Sequence, residues 1–171
     1  MPENNHKLQE EVSAVASDRH LPEDFTLVVL AGGASSRMGK EKSDLILNGQ
    51  TFLEIQIRKG RQLGAKKILI SGYRGERCSE EIVPDRIPGQ GPLGGLESCF
   101  RKAETAKCLV LGVDTPLVPV EELRSLLKYT MEEADKPVTM LCHNGKEESL
   151  MAVYDARLYK EITDFLESGR S

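Results

Sequence analysis

A glycine-rich, basic loop follows an apolar stretch near the start of the chain. The stretch LVVLAGGASSRMGKEKSDLIL covers residues 27–47. In it, Gly32 and Gly33 allow backbone N–H groups to approach an anion closely, and Arg37 and Lys42 can supply positive charge. A flexible surface turn could have the same composition. A loop that leaves the carboxyl end of a buried strand nevertheless favours a phosphate-binding site.

Neither of the two common phosphate-binding motifs fits this loop. A P-loop has four residues between its glycines and a Ser or Thr after its Lys. Here five residues separate Gly33 from Gly39, and Glu41 follows Lys40. The dinucleotide motif G-x-G-x-x-G also fails, because Gly32 and Gly33 are adjacent. The loop therefore predicts an anion site of another kind.

Two aspartates stand where a carboxylate could bind a ligand. Asp114 closes the apolar run KCLVLGVD, residues 107–114, and ligands of parallel sheets bind beyond the carboxyl ends of the strands. A carboxylate there can hold a hard cation that keeps several waters, or it can cap the next turn. Asp85 follows Pro84 and offers an acceptor for the paired N–H groups of a guanine base, although Pro-Asp is also ordinary turn chemistry.

Strand and helix patterns alternate along the chain and place these residues at strand ends. Apolar runs predict strands at 25–30, 66–71, 82–85, 107–114, 137–142 and 149–154, the last two joined by the hairpin signal Asn144-Gly145. Amphipathic runs predict helices at 51–64, 92–104, 119–135 and 155–168. The alternation predicts an α/β fold with a three-layer, doubly wound, mostly parallel sheet. This domain covers residues 25–171, after a polar extension, residues 1–24, that we expect to be mobile.

Capping residues mark the ends of the predicted helices. Thr51 and Glu54 have the spacing of a capping box, and Gly64 stands where a helix C-terminal glycine belongs. Pro119 begins the third predicted helix, and Asp155 is the expected N-cap of the last.

The composition is that of one ordinary domain, with 171 residues, of which 39% are apolar and 29% charged. A formal charge of −4 makes the whole chain a poor match for nucleic acid, and no apolar run reaches membrane-spanning length. The N-terminus lacks the apolar stretch of a signal peptide. The scattered histidines have no zinc-site spacing. Of Cys78, Cys99, Cys108 and Cys142, three lie in apolar strand or helix patterns and none forms a C-x-x-C pair. We therefore expect reduced core thiols in a cytoplasmic protein.

Several stretches resemble a known family. LAGGASSRMGKEK, residues 30–42, resembles the signature L-A-G-G-x-S-x-R-M-G-x-[DE]-K of nucleotidyltransferases, and it is most similar to the molybdenum cofactor guanylyltransferase family. PDRIPGQGPLGGL (84–96) and GVDTPLVP (112–119) look like that family's next two motifs, and GKEESLMAVY (145–154) is a looser match to the fourth. The resemblance covers residues 25 to about 170. It implies a Rossmann-like fold of the nucleotide-diphospho-sugar-transferase type.

The resemblance implies roles for individual residues. The nucleotide-binding residues that it implies are Leu30, Ala31, Gly32, Gly33, Lys42, Ser71, Asp85 and Asp114. Among them, Asp85 falls at the guanine-binding aspartate, and Ser71 stands where the family often has Asn beside the base. The implied catalytic residues are Arg37 and Lys42, which would contact phosphates, and Asp114, which would bind Mg²⁺.

The implied reaction moves GMP from GTP to molybdopterin or molybdenum-bound molybdopterin and releases pyrophosphate. The implied partners are these two substrates and other proteins of molybdenum cofactor biosynthesis, with neither nucleic acid nor a membrane. Two alternatives stay open. One is a related transferase that uses CTP or acts on a sugar or polyol phosphate, and the other is a non-catalytic nucleotide-binding module.

The chain departs from the family pattern in three places. Gly112 replaces the usual Cys before Val113-Asp114, and Glu148-Ser149 replaces a His-Pro pair. The sequence also stops at Ser171, before the strand and helix with which the family normally continues. From the last two departures we expect the part of the site that binds the acceptor to be incomplete.

Overall fold

The computed structural model describes residues 24–32, 41–75, 78–143 and 145–169. Most of the predicted extension, residues 1–24, lies outside these ranges. Its last residue, Asp24, accepts a hydrogen bond of 2.9 Å from the Lys66 ammonium. Gly33 and Arg37 of the basic loop also lie outside the described residues.

Strands and helices alternate as predicted. The strands are β1 Phe25–Leu30, β2 Ile46–Leu47, β3 Gln50–Thr51, β4 Lys67–Ser71, β5 Glu81–Val83, β6 Lys107–Gly112, β7 Val138–His143 and β8 Lys146–Asp155. The α-helices are α1 Phe52–Leu63, α2 Gly91–Lys102, α3 Val120–Glu132 and α4 Tyr159–Glu167. Short 3-10 turns cover Lys42–Asp44 and Ala156–Leu158.

Six of the strands form one sheet in the order β5-β4-β1-β6-β8-β7. The pairs β5-β4, β4-β1 and β1-β6 are parallel, and β8 runs antiparallel to both β6 and β7. The prediction of a mostly parallel sheet is therefore confirmed. After β1 the chain builds β4 and β5 on one side and then crosses to β6 on the other. The carboxyl ends of β1 and β6 thus border the switch point, where open α/β sheets bind ligands.

Helices cover both faces of the sheet. Leu53 and Ile57 of α1 and Leu123 of α3 pack in one buried cluster with the odd-numbered residues of β1. Phe100 of α2 and Val28 of β1 belong to the cluster on the opposite face. Ile162 of α4 packs against this second cluster. The three-layer prediction is confirmed, and both faces of β1 are buried.

Most predicted helix boundaries are confirmed, because capping chemistry is local. Thr51 and Glu54 make both hydrogen bonds of a capping box, and Gly64 ends α1 in the left-handed conformation with φ 83°. Pro119 is the N-cap of α3. Asp155 caps a 3-10 turn that precedes α4, so the last helix begins later than predicted.

Two further details differ from the sequence predictions. β6 ends at Gly112, so Asp114 lies in the turn after the strand rather than at its last position. The β2-β3 hairpin was not predicted, although its tip, Asn48-Gly49, is a strong hairpin signal and has φ of 51° and 80°.

The cysteines divide into two groups. Cys99 and Cys108 are buried, as predicted, and burial raises the pKa of the Cys99 thiol to about 12. Cys142 is exposed on the edge strand β7, so the prediction of a core thiol is wrong there, and Cys78 is half-buried. Within the described ranges, no helix combines the length and apolar character that crossing a membrane requires.

Candidate active site

The ends of three neighbouring strands meet at one edge of the sheet. The Ala31 N–H donates to the Ser71 carbonyl at 2.8 Å, and the Val113 N–H donates to the Leu30 carbonyl at 3.0 Å. These bonds extend the sheet past the last residues of β1 and β6. The predicted residues Leu30 and Ala31 therefore lie between Ser71 on one side and the turn that contains Asp114 on the other.

Gly32 is in backbone contact with Gly72. A Cβ on Gly32 would lie 3.0 Å from the Gly72 Cα, and a Cβ on Gly72 would lie 2.6 Å from the Gly32 Cα. Gly72 also has φ 73°, which only glycine adopts readily. A side chain at either position would push the two loops apart. Gly72 was not predicted as a site residue, although its Ser-Gly step directly after a strand is a turn signal.

Two predicted catalytic residues meet at the end of β6. The Lys42 ammonium donates to the Asp114 carboxylate, with 3.0 Å between Nζ and Oδ2. The side chains of Lys42 and Asp114 are 44% and 46% exposed, so water and ligands can reach both. A phosphate that contacts Lys42 would lie within a few ångströms of a cation bound by Asp114.

The Asp114 carboxylate fits a magnesium site in which the substrate supplies some of the other ligands. Among the residues that the structure describes, no group of three or more His, Cys, Asp or Glu side chains could hold a metal by itself. Mg²⁺ is typically held by one or two carboxylates, with waters and substrate phosphates completing the octahedron. A single exposed carboxylate at the switch point fits that pattern, and it does not fit a structural metal site.

Two side chains of α1 hold the turn that contains Asp114. The Gln56 amide donates to the Gly112 carbonyl at 2.8 Å and to the Thr115 carbonyl at 3.1 Å. The Lys59 ammonium donates to the Pro116 carbonyl at 2.9 Å. Neither side chain was predicted to belong to the site. Gln56 lies in the sequence between Leu53 and Ile57, two apolar residues of the buried face of α1. A polar residue on such a face was the sequence signal that could have identified it.

Asp85 lies at the other end of the same edge, beside Ser71. Ser71 is 4% exposed, and its hydroxyl lies 3.3 Å from Oδ1 of Asp85. A Cβ on Gly95 of α2 would lie only 2.2 Å from the Ser71 hydroxyl, so helix and strand are in close contact. A Cβ on Gly94 would lie 3.7 Å from the second oxygen of Asp85. Gly95 is thus in close contact with Ser71, whereas Gly94 lies at an ordinary contact distance from Asp85.

A buried carboxylate binds the side chain of Arg86, the residue after Asp85. Glu97 of α2 is fully buried and accepts hydrogen bonds from Arg86, Arg101 and Thr163. Burial alone would raise the pKa of Glu97, but these bonds outweigh it and leave the pKa below its ordinary value. The Arg86 N–H also donates to the Ser98 hydroxyl at 2.8 Å. The residue directly after Asp85 is therefore fixed to α2 by backbone and side chain.

The second and fourth motif stretches border one cavity of about 390 Å³. Gln90 and Pro92 come from the second stretch, and Ser149 and Leu150 come from the fourth. The remaining lining is mostly apolar and belongs to α2, β8, α4 and the turn before α4. The structure thus brings together two segments that 48 residues separate in the sequence, from 97 to 144.

The chain matches one family over most of its length. A family model described as the MobA-like NTP transferase domain matches residues 27–171. A probable molybdenum cofactor guanylyltransferase of Carboxydothermus hydrogenoformans is 33% identical over 145 residues, which cover 84% of this chain and 72% of the relative.

Solved structures with low sequence identity share the fold. Molybdopterin-guanine dinucleotide biosynthesis protein A of Archaeoglobus fulgidus superposes with a TM-score of 0.66 at 24% identity, over 84% of this chain and 74% of that one. The 2-C-methyl-D-erythritol 4-phosphate cytidylyltransferase of Thermus thermophilus gives 0.59 at 14% identity, over 84% and 77%. The same architecture therefore occurs in proteins that are named for different nucleotides.

Proposed function

The chain belongs to the MobA-like NTP transferase family, and from this premise we propose that it transfers GMP from GTP to molybdopterin, with or without bound molybdenum, and releases pyrophosphate. One observation supports this most strongly: the pairs Lys42–Asp114 and Ser71–Asp85 lie at a single sheet edge. The first offers charges to phosphates and the second offers acceptors to a base. The guanylyltransferase name of the Carboxydothermus hydrogenoformans relative supplies the choice of substrates.

The proposed chemistry is a displacement at the α-phosphorus of GTP. An oxygen of the acceptor's phosphate forms a bond to that phosphorus, and the bond from the phosphorus to the bridging oxygen of pyrophosphate breaks. The acceptor phosphate is already ionised near neutral pH, so no general base is required. The protein's contribution is to align the two phosphates and to offset their charge.

The charged residues divide this task. Asp114 would hold Mg²⁺, which when bound would withdraw charge from the α-phosphate. The Lys42 ammonium lies 3.0 Å from that carboxylate and would contact the phosphate oxygens next to it. By the family resemblance, Arg37 would offset charge on the leaving pyrophosphate.

Asp85 would select the base. Its carboxylate would accept hydrogen bonds from N1–H and the N2 amino group of guanine, and the Ser71 hydroxyl would orient it. Adenine offers no such pair of donors and would leave a part-buried carboxylate unpaired, which is unfavourable.

The open alternatives differ from this proposal in what they require. A cytidylyltransferase shares the fold, as the Thermus thermophilus structure illustrates, but it does not require a carboxylate facing N–H groups of guanine. A non-catalytic binding module requires neither Lys42 nor Asp114 at the phosphates. A cytoplasmic location and partner proteins of molybdenum cofactor biosynthesis stay predictions.

The test is a titration with GTP, CTP, ATP and UTP in Mg²⁺, followed by a pyrophosphate-release assay with molybdopterin as acceptor. We expect GTP to bind most tightly and to release pyrophosphate only when the acceptor is present. Preferred binding of CTP would favour the cytidylyl alternative. Tight GTP binding without pyrophosphate release would favour a binding module.

A further inference from the structure

We propose that Gln56 and Lys59 of α1 are positioning residues, which set the direction of the Asp114 carboxylate by fixing the backbone on both sides of it. The inference rests on the proposed role of Asp114 in the reaction. It adds a structural requirement that the four motif stretches do not contain, because α1 lies between the first and second of them.

Gln56 holds the backbone before and after Asp114 at the same time. Its side chain is fully buried, and its single amide nitrogen bonds to the carbonyls of Gly112 and Thr115. The Thr115 hydroxyl also donates to the Gly112 carbonyl at 2.9 Å. The turn is therefore closed by hydrogen bonds from two sides, and Asp114 has little freedom to change its direction.

The other end of the Gln56 amide shows that stability alone does not explain this residue. Its Oε1 is buried and has no hydrogen-bond partner among the described residues. A buried acceptor without a donor is unfavourable, and an apolar side chain of the same length would avoid this. Gln56 is thus a poor choice for core packing and a good choice for donating to the turn.

Lys59 is buried in the same way and donates to the same turn. It is 4% exposed, and its ammonium donates to the carbonyls of Pro116 and Thr115 at 2.9 and 3.5 Å. Over the described part of the chain it forms no ion pair with a carboxylate. Burial, and secondarily the charge of Arg58, lowers its pKa to about 8. A lysine in this place is again unfavourable for packing, and its donors all serve the turn that follows Asp114.

α1 also connects Asp114 to Lys42. The Phe52 N–H at the start of α1 donates to the Leu45 carbonyl at 2.8 Å, directly after the 3-10 turn that begins with Lys42. The same helix therefore contacts the segment of Lys42 at its first residue and the turn of Asp114 through Gln56 and Lys59. A rigid helix between the two sets the separation of the phosphate-binding ammonium and the metal-binding carboxylate.

The experiment compares Gln56→Met and Lys59→Met with Lys59→Arg and with Gln62→Met, a matched change at an exposed position of the same helix. Methionine keeps the length of the side chain and removes the donor, whereas arginine keeps donors. The first measurement is the Mg²⁺ concentration for half-maximal pyrophosphate release, together with kcat and KM for GTP. The second is amide hydrogen exchange of residues 112–118 without substrate. Thermal unfolding is recorded for every variant.

For Gln56→Met we expect the thermal midpoint of the parent or a higher one. We expect kcat to fall about ten- to a hundredfold, as a small displacement of a catalytic group can cause, with little change in KM for GTP. The Mg²⁺ requirement should rise, and amides of residues 112–118 should exchange faster. Lys59→Arg should retain most of the activity that Lys59→Met loses, and Gln62→Met should match the parent.

The inference is overturned if Gln56→Met and Lys59→Met keep the parent's kcat, Mg²⁺ dependence and hydrogen exchange. It is also overturned if their losses only follow a lower thermal midpoint. Failure of the proposed function gives a different result, because the parent itself would then release no pyrophosphate. In that event hydrogen exchange still decides, since an unchanged turn in both methionine variants would show that the two side chains do not fix it.

Discussion

The two ends of the candidate site differ in solvent exposure and packing. We call the end with Lys42 and Asp114 the phosphate end, and the end with Ser71 and Asp85 the base end, after their proposed ligands. At one end, Lys42 and Asp114 form an ion pair that is nearly half exposed. Side chains of α1 donate hydrogen bonds to the turn that contains Asp114. At the other end, Asp85 lies against the buried Ser71, and Gly95 of α2 packs closely against Ser71. A cation with its waters and charged phosphates needs an open, polar place. A base that must be distinguished from other bases needs a fixed shape from which water is excluded.

The energetics of the two ends differ accordingly. An exposed ion pair contributes about 0–1 kcal/mol to folding, so Lys42 and Asp114 add little to stability and are free to exchange partners. Glu97, which binds the side chain of the residue after Asp85, is a fully buried charge with four hydrogen-bond donors. Breaking such a pair typically costs about 3–5 kcal/mol. Stability is concentrated at the base end, and adaptable charge is concentrated at the phosphate end.

The largest expected effect is at the phosphate end. Asp114→Asn keeps the shape of the side chain and removes the charge that would hold Mg²⁺. We expect turnover to fall by about a hundredfold or more, while the free energy of unfolding changes by no more than about 0.5 kcal/mol because the side chain is exposed. Pyrophosphate release at saturating Mg²⁺ and urea unfolding measure the two quantities.

Asp135→Asn, an exposed change beyond the end of α3, is the matched control for this variant. It should leave turnover unaltered. If Asp114→Asn retains the parent's Mg²⁺-dependent activity, the cation is bound elsewhere, and the division of the site into two ends is wrong.

At the base end, Asp85→Ala should reduce the preference for GTP over ATP. Removing a partner that accepts two hydrogen bonds should weaken GTP binding by about 1–3 kcal/mol, or about ten- to a hundredfold in Kd. ATP binding should hardly change, because adenine makes no such contact. Calorimetric titrations with both nucleotides measure the difference. Equal binding of GTP by the variant and the parent would leave Asp85 as a turn residue only.

Close packing at the base end gives a third prediction, for Gly95→Ala. The added Cβ would lie 2.2 Å from the Ser71 hydroxyl and 3.1 Å from the Ser71 Cβ, so the Ser71 side chain must rotate, α2 must move, or both. We expect a loss of about 1–3 kcal/mol in the free energy of unfolding and weaker GTP binding. Binding of inorganic triphosphate, which reports the phosphate end alone, should be preserved.

The double variant Ser71→Ala/Gly95→Ala sharpens this test. Removal of the hydroxyl takes away the shorter contact and leaves the 3.1 Å one, so stability should return in part. If triphosphate binding falls as much as GTP binding in Gly95→Ala, the two ends are not independent.

The sequence predicted most of the fold because its signals are local. Runs such as Phe25–Leu30 are short, rich in Phe, Thr and Val, and buried on both faces. Caps such as Thr51 mark helix ends through bonds to residues three positions away. The sheet order was not predictable in the same way. The pairing of β8 with β6 joins segments about forty residues apart and depends on packing, which no short pattern encodes.

The candidate site was predictable to a similar extent. Motif spacing identified Lys42, Asp85 and Asp114, and the structure places all three at one sheet edge. Gln56 and Lys59 were not predicted, because their proposed positioning role depends on a turn that follows them by more than fifty residues. In the sequence they are two polar positions on an amphipathic helix, and only burial distinguishes them from the exposed Gln62.

The smallest expected effect on ligand binding comes from Lys42→Ala, and it sharpens the contrast between the two ends. Because the Lys42–Asp114 pair is nearly half exposed, its loss should lower the free energy of unfolding by less than about 1 kcal/mol. Triphosphate binding should weaken by about tenfold, since a charge-assisted hydrogen bond to phosphate contributes about 1.5–3 kcal/mol and water replaces part of it. Binding of guanosine, which has no phosphate, should not change.

Arg37 and Lys40, two other positively charged residues of the basic loop, test whether the effect on triphosphate binding is specific to Lys42. Arg37 occupies a fixed position of the nucleotidyltransferase signature, so Arg37→Ala should reproduce the loss of triphosphate binding seen for Lys42→Ala. Lys40 occupies a variable position, so Lys40→Ala should have a much smaller effect, although it removes the same charge. Equal losses at all three positions would mean that only the net charge of the loop attracts phosphate. The 3.0 Å contact between Lys42 and Asp114 would then have no special part in binding.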